Sequence, residues 1–357
     1  MPMAGAFSYR SGLNGARPSG VAIDPKIPHD REEEKEARPP RAMPSRRGGG
    51  AMSAPGATAR WLRRGVLALL TLALLAAAAL AGGVLMARHK MERRVDIEVK
   101  PVALRPRGDT AALERGRYLY ASRGCVDCHG ANGGGRRFID APNGLRVAGP
   151  QIAPGAANAT AGYRPEDWVR AIRHGVAPGG RPLMIMPSED YNRLTDEDLA
   201  ALVAHVRALP PVQGTPAVVE MPLPVRALYG FGLIQDAAAK IDHRLPPAQP
   251  VAEGVSVAHG AYVANMCLGC HGAQLAGGKV PGGPPDWPAA SRLAPGGDSA
   301  MARYPDAESM IRLFRSGLRP DGTPVRVMPF ESLREISDTD MRALHLYLRQ
   351  LPAPRQG

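Results

Sequence analysis

The 357-residue sequence predicts an all-α chain in which two tandem helical domains follow a single N-terminal transmembrane helix. Three observations predict it. Residues 65–87, "GVLALLTLALLAAAALAGGVLMA", hold no charge over 23 positions, and about 20 apolar residues span a bilayer. Sliding the chain against itself by 142 positions overlays "IRHGVAPGGRPLMIMP" on "FRSGLRPDGTPVRVMP" and "LTDEDLAALVAHVRALP" on "ISDTDMRALHLYLRQLP". A period that long marks a domain duplication and not a solenoid. Within the repeat the apolar spacing is helical: Leu199, Leu202, Val203, Val206 and Leu209 share one face, as do Met341, Leu344, Leu348 and Leu351.

Taken in order, residues 1–64 carry Pro, Gly and charge runs such as "DREEEKEARPPR" with little apolar periodicity. They read as a disordered tail. The apolar span at 65–87 is flanked by Arg60, Arg63 and Arg64 on one side and Arg88, Lys90, Arg93 and Arg94 on the other, so flanking charge alone does not orient it. "ALAG" at 79–82 resembles a signal-peptide cleavage site, but signal cores run about 7–15 residues. The span is therefore taken as a retained anchor. The first domain, 105–210, is expected to hold a helix around Tyr118–Arg123, a second from Pro165 to a stop at Gly175, and a last one opening at Thr195. The Pro-rich segment 211–250 reads as a semi-rigid spacer. The second domain, 251–352, repeats the pattern at Tyr262–Met266, about Pro305–Gly317, and Ser337. Thr195 and Ser337 each precede an aspartate by three residues, the spacing of a capping box.

The chain has four cysteines, all in two copies of one motif: "GCVDCHG" with Cys125 and Cys128, and "CLGCHGA" with Cys267 and Cys270. C-x-x-C can serve a zinc site, a redox pair or covalent haem attachment. Only the last calls for the histidine that follows immediately, His129 and His271. Two complete copies favour c-type haem, with a zinc site of four thiolates split between the motifs as the alternative. Each motif is also followed at the same distance by Met-Pro: Met186 lies 61 positions after Cys125, and Met328 lies 61 positions after Cys267. A methionine thioether is a common sixth haem ligand. Met184 competes in the first copy, but its counterpart is Arg326, so Met184 reads as packing.

Both halves resemble class I cytochrome c domains: an N-terminal helix, C-x-x-C-H, a Gly/Pro-rich loop, Met-Pro, and a last helix ending in "RALP" or "RQLP". The wording "DWVRAIRHGV" through "LTDEDLAALVAHVRALPPV" resembles cytochrome subunits of bacterial membrane-bound alcohol and gluconate dehydrogenases, over roughly residues 110–352. Those subunits usually carry three haems, whereas this chain has two motifs. The resemblance implies two covalently bound haem c groups, each with its iron. Cys125, Cys128, Cys267 and Cys270 would attach them, and His129 with Met186, and His271 with Met328, would be the axial ligands. In the family a proline carbonyl orients the ligand histidine, and Pro150 is a candidate. Haem attachment occurs outside the bacterial inner membrane, which implies periplasmic haem domains and a cytoplasmic N-terminus on a single-pass anchor.

The formal charge of +12 is concentrated in residues 1–87 (+6), with +3 in 105–210 and no net charge in 251–352. No basic stripe interleaved with aromatics marks a nucleic-acid surface. Neither a Walker loop nor a G-x-S-x-G elbow is present. The expectation is an electron carrier and not an enzyme in its own right, serving redox protein partners: a dehydrogenase, an oxidase or a quinol-oxidising complex. The alternative is a di-haem peroxidase-type enzyme, which needs an iron with an open position. His174, His205, His259 and His345 are expected at surfaces or helix ends, and Trp168, Tyr118 and Tyr262 around the haems.

Overall fold

A transmembrane-length helix opens the structure, a computed structural model that describes residues 56–106, 108–284 and 286–352. Helix α1 runs Ala57–Glu92. Its apolar stretch has a mean hydropathy of 2.3 and is 6% buried, and Leu67, Leu69, Leu70, Leu72, Leu74 and Leu75 all face outward. An apolar helix left uncovered by its own chain is what a lipid-facing segment requires. The expected tail lies outside the described residues as far as residue 55. From Ala57 the expectation of disorder fails, because nothing at Arg60, Arg63 or Arg64 stops a helix that the apolar run propagates.

The first repeat contains α2 (Thr110–Ser122), a one-turn α3 (Cys125–His129), strands β1 (Arg136–Asp140) and β2 (Arg146–Gly149), then α4 (Pro165–His174), α5 (Ser188–Tyr191) and α6 (Asp196–Ala208). Between the repeats lie β3 (Val218–Glu220) and α7 (Leu223–Gly230). The second repeat has α8 (Val257–Ala264), α9 (Leu268–His271), α10 (Ala307–Ser316), α11 (Phe330–Leu333) and α12 (Asp338–Gln350). Local chemistry sets the ends. Pro165 opens α4, and left-handed Gly175 (φ 63°) and Gly317 (φ 76°) close α4 and α10. Thr195 and Ser337 side chains accept from the Asp198 and Asp340 amides, both at 3.1 Å.

In each repeat the first helix crosses the last at a glycine. A Cβ on Gly116 would collide with the Ala201 carbonyl, and one on Gly260 with that of Ala343. Two separate cores follow from these crossings. Leu119, Trp168, Leu199 and Val203 anchor the first, and Val263, Phe314, Met341 and Leu344 the second.

The all-α expectation needs correcting, since a three-stranded antiparallel sheet of order β1-β2-β3 is present. Its hairpin had a sequence signal in "FIDAPNGLRVAG", where Asn143-Gly144 turns between apolar runs and Gly144 takes φ 86°. The spacer expectation also fails. Segment 211–250 lends β3 to this sheet, Ala237 N donates to Leu183 O at 2.9 Å, and Ala248 N donates to Arg193 O at 3.1 Å. It wraps the first repeat and does not hold the two repeats apart.

The repeats contact each other reciprocally. Tyr118 Oη donates to Asp340 at 2.7 Å, and its counterpart Tyr262 donates to Asp198 at 2.6 Å. Each tyrosine oxygen also accepts the N-cap amide of the opposite last helix: Ser337 N at 3.1 Å and Thr195 N at 3.3 Å. The hydroxyl thus takes the place that the carboxylate at the third helical position fills in an ordinary capping box. Asp198 is freed to bind Arg115 (2.7 and 2.9 Å), while Asp340 binds Arg123 (2.6 Å) and His259 (2.7 Å).

Candidate functional site

The first cysteine motif is presented by a turn. Gly124, at φ 83°, lets α2 break into α3. The single helical turn of α3 then sets Cys125, Cys128 and His129 at i, i+3 and i+4, on one side. Tyr191 Oη pins the entry by donating to Arg123 O (2.7 Å), and Tyr120 Oη pins the exit by donating to Gly130 O (2.7 Å). At the end of β2, Gly149 lies against the motif so closely that a Cβ would collide with the Cys128 carbonyl.

His129 Nδ1 lies 2.9 Å from Pro150 O. A carbonyl can only accept, so the ring proton is on Nδ1, and Nε2 keeps a free lone pair. Burial lowers the His129 pKa, opposed by that hydrogen bond, and so favours the neutral, ligating form. Pro150 therefore occupies the orienting place the resemblance suggested. In the second repeat His271 makes the same bond, at 2.7 Å, to Ser291 O. No side-chain pattern announces that carbonyl. Gly277 permits the approach, because a Cβ there would sit 2.7 Å from the Ser291 carbonyl carbon.

The methionines arrive by equivalent loops. After Gly175 the chain doubles back through an Ala177 N to Arg181 O bond (2.8 Å), and after Gly317 through an Arg319 N to Thr323 O bond (2.8 Å). Met186 and Met328 then precede prolines of φ −79° that open α5 and α11. Cys125, Cys128, His129 and Met186 all line one apolar cavity of about 220 Å³, with Trp168 and Met184 also in its wall. In the second repeat Cys267 and Met328 pack on the second core, and His271 is buried beside it. Of the aromatics expected around the cofactor, Trp168 is in the cavity wall, whereas Tyr118 and Tyr262 bridge the repeats.

The fit to a c-type haem is tested by the competing chemistries. A thioredoxin-like pair needs a depressed thiol pKa. Burial instead pushes Cys125 and Cys267 up to about 12 and Cys128 up to about 11, and it also raises Cys270. Among the described residues no three His, Cys, Asp or Glu side chains converge on a possible metal position, so the split zinc site is not assembled. What remains is a half-buried dithiol next to a histidine with one free nitrogen, on an apolar cavity that a methionine also reaches. That set suits a large apolar macrocycle with an iron at its centre.

Residues 111–206 match the family described as cytochrome c oxidase, cbb3-type, subunit III. The fructose dehydrogenase cytochrome subunit of Gluconobacter japonicus is 27% identical, over 69% of this chain and 54% of its own length. The chain is similar to dehydrogenase cytochrome subunits. The alcohol dehydrogenase (quinone) cytochrome c subunit of Gluconobacter oxydans (strain 621H) is 27% identical, over 70% of this chain and 56% of its own. The gluconate 2-dehydrogenase cytochrome c subunit of Pantoea cypripedii is 28% identical, over 68% and 60%. The chain therefore spans only a little over half the length of these cytochrome subunits.

Expectations for three histidines change. His259 and His345 are not surface groups: His259 is 2% exposed against Asp340, and His345 lies 3.0 Å from Tyr304 O. His174 is buried 3.1 Å from His243 of the wrapped segment. Each partner comes from a distant stretch of chain, and a local reading of the sequence cannot supply it.

Proposed function

We propose that the chain is a membrane-anchored di-haem c-type cytochrome, passing electrons from a dehydrogenase or another respiratory donor, such as a quinol-oxidising complex, to a downstream acceptor such as a terminal oxidase. One observation carries this. A C-x-x-C-H turn with its histidine fixed by a backbone carbonyl, and a Met-Pro at the end of a matching loop, occurs twice in the same register. Cys125, Cys128, Cys267 and Cys270 would form the thioethers. His129 and Met186 would ligate the first iron, and His271 and Met328 the second. The bound group would supply reversible one-electron chemistry.

The remaining work falls to the chain's own atoms. Pro150 and Ser291 hold each imidazole in one tautomer, Gly149 lets backbone close over the first motif, and the apolar wall excludes water. Met186 and Met328 as sixth ligands would favour a high potential and would leave no open position for peroxide. Contacts between the repeats support electron exchange within one chain. Asp190 of α5 accepts from Gly269 N inside the second motif (2.7 Å), and Ser332 of α11 donates to Asp127 inside the first (2.8 Å). Each methionine-bearing arm thus braces the other repeat's attachment loop. The haem-bearing repeats are placed in the periplasm, with α1 crossing the inner membrane.

A pyridine haemochrome spectrum with intact mass measurement tests this reading: two covalent haems per chain are expected, and one or none would end it. Carbon monoxide binding separates the carrier from the peroxidase. The reduced carrier should bind little, whereas rapid binding at one haem with peroxide consumption would favour the enzyme.

A further inference from the structure

Helix α7 is not needed to build either candidate site, yet it is bound tightly to α1. The two cross at glycines. A Cβ on Gly83 would lie 2.8 Å from both Ala227 Cβ and Phe231 Cε2, and one on Gly230 would collide with the Gly83 carbonyl. Beyond the crossing, polar groups fix the register. Lys90 Nζ donates to Tyr229 O (3.3 Å), and Arg93 makes a two-pronged bond to buried Asp236 (2.7 and 2.8 Å). Tyr229 Oη donates to the same carboxylate at 2.8 Å.

The crossing lies inside the uncharged stretch. Gly83 precedes Arg88, the first charge after the span, by five residues, or about 7 Å along a helix. Phe231 is held at that level. Apolar side chains of α7 and of the residues after it are left uncovered: Leu223 is 53% exposed, Leu228 41%, Leu233 72%, and Phe231, which also reaches Gly83, 50%. Four large exposed apolar side chains within eleven residues are more than a water-facing surface ordinarily shows. The exposed apolar residues of α1 nearest the crossing in sequence are Leu85, 68% exposed, and Met86, 49%.

We infer that α7 and the residues after it are a second membrane contact, lying in the interfacial layer beside α1 with Leu228, Phe231 and Leu233 in the acyl region. Interfacial helices bury their apolar face by about 5–10 Å, which matches the depth that Gly83 imposes. The occupant is lipid, because the crossing at Gly83 holds the patch at the level of the uncharged stretch of α1, where Leu85 and Met86 are also exposed. Exposed Arg226, between Leu223 and Leu228, donates its Nε to Met221 O at 2.9 Å and keeps its terminal nitrogens for headgroup phosphates. The contact rests on the reading that α1 spans the bilayer. It would fix the tilt of the first repeat over the membrane, since α7, Asp236 and Ala237 tie α1 to the Leu183 loop that leads to Met186.

The test uses the full haem-loaded chain in vesicles of phosphatidylethanolamine and phosphatidylglycerol, with a benzoylphenylalanine photocrosslinker replacing one residue at a time. Positions 228 and 233 test the patch, position 74 tests α1, and the exposed Leu318 of the second repeat is the aqueous control. Lipid adducts by mass at 228 and 233, as at 74 and not at 318, are the expected result. Adducts at 74 alone would overturn the inference and leave the anchor standing. No adduct at 74 would remove the anchor and the inference together. Protein crosslinks in place of lipid at 233 would show a protein interface and overturn it.

Discussion

Replacing Asp340 by Asn should destabilise the contact between the repeats more than any other single polar substitution there. Asp340 is fully buried and receives Arg123, Tyr118 and His259 at once. Burial by itself would raise its pKa. The Arg123 charge and the hydrogen bonds from Arg123, Tyr118 and His259 outweigh that and hold it at about 2, against an ordinary 3.8. A carboxyl depressed by that much contributes about 2 to 3 kcal/mol, present above the unfolded pKa and lost as pH falls from about 4 toward 2. Asn removes that contribution and also leaves the Arg123 guanidinium, 6% exposed, without a counter-charge. Breaking a buried pair this way costs about 3–5 kcal/mol. Arg123→Met should cost less, because Asp340 keeps Tyr118 and His259. Asp198→Asn should also cost less, because Arg115 is 27% exposed and can turn to water. Denaturant unfolding followed by far-ultraviolet circular dichroism and haem absorbance, at pH 7 and at pH 3, reads all three. A loss under about 1 kcal/mol for Asp340→Asn at pH 7, or an unchanged acid profile, would refute the reasoning.

Met186→Ala should abolish the methionine–iron absorbance of one haem and Met328→Ala that of the other, while Met184→Ala leaves both. Loss with Met184 and not Met186 would show that the neighbouring methionine in the cavity wall is the ligand. Gly149→Val should halve the covalent haem content by driving β2 off the Cys128 peptide, with the second haem retained by mass and spectrum. Burial, then the neighbouring His243 and Arg173, lowers His174 from 6.5 to about 4. Packing of segment 211–250 should therefore weaken as pH falls from about 6.5 toward 4, because only the unfolded state gains that proton. His174→Gln should flatten the decline, read by proteolysis of the segment across that range.

The sequence made the duplication, the helix caps and the two C-x-x-C-H turns legible, because each rests on local spacing or on its repetition. Pro165, Gly175, Thr195 and Ser337 mark helix ends wherever they occur, and the 142-residue offset lets each half check the other. What escaped involves partners far apart. β3 joins β2 from more than 70 residues downstream, so the segment that carries it looked like free spacer. Ser291 orients His271 through its backbone carbonyl, which any residue type could supply. Tyr118 and Tyr262 look like pocket aromatics until Asp340 and Asp198 are seen to come from the opposite repeat.

Those paired tyrosines have an evolutionary consequence. A contact in which each half gives the other what it receives is isologous, the hallmark of a twofold homodimer. The chain can be read as such a dimer made permanent by gene fusion. Pairing no longer depends on concentration, and the two copies of every contact are free to drift apart. Drift has already occurred: Arg115, which binds Asp198, has His259 as its counterpart against Asp340. Where one half brings an Asp190 carboxylate to a backbone amide, the other brings a Ser332 hydroxyl to the Asp127 carboxylate. A self-associating single-site ancestor would have had to change both centres together. The fused chain can alter the charge beside one centre and leave the other as it was.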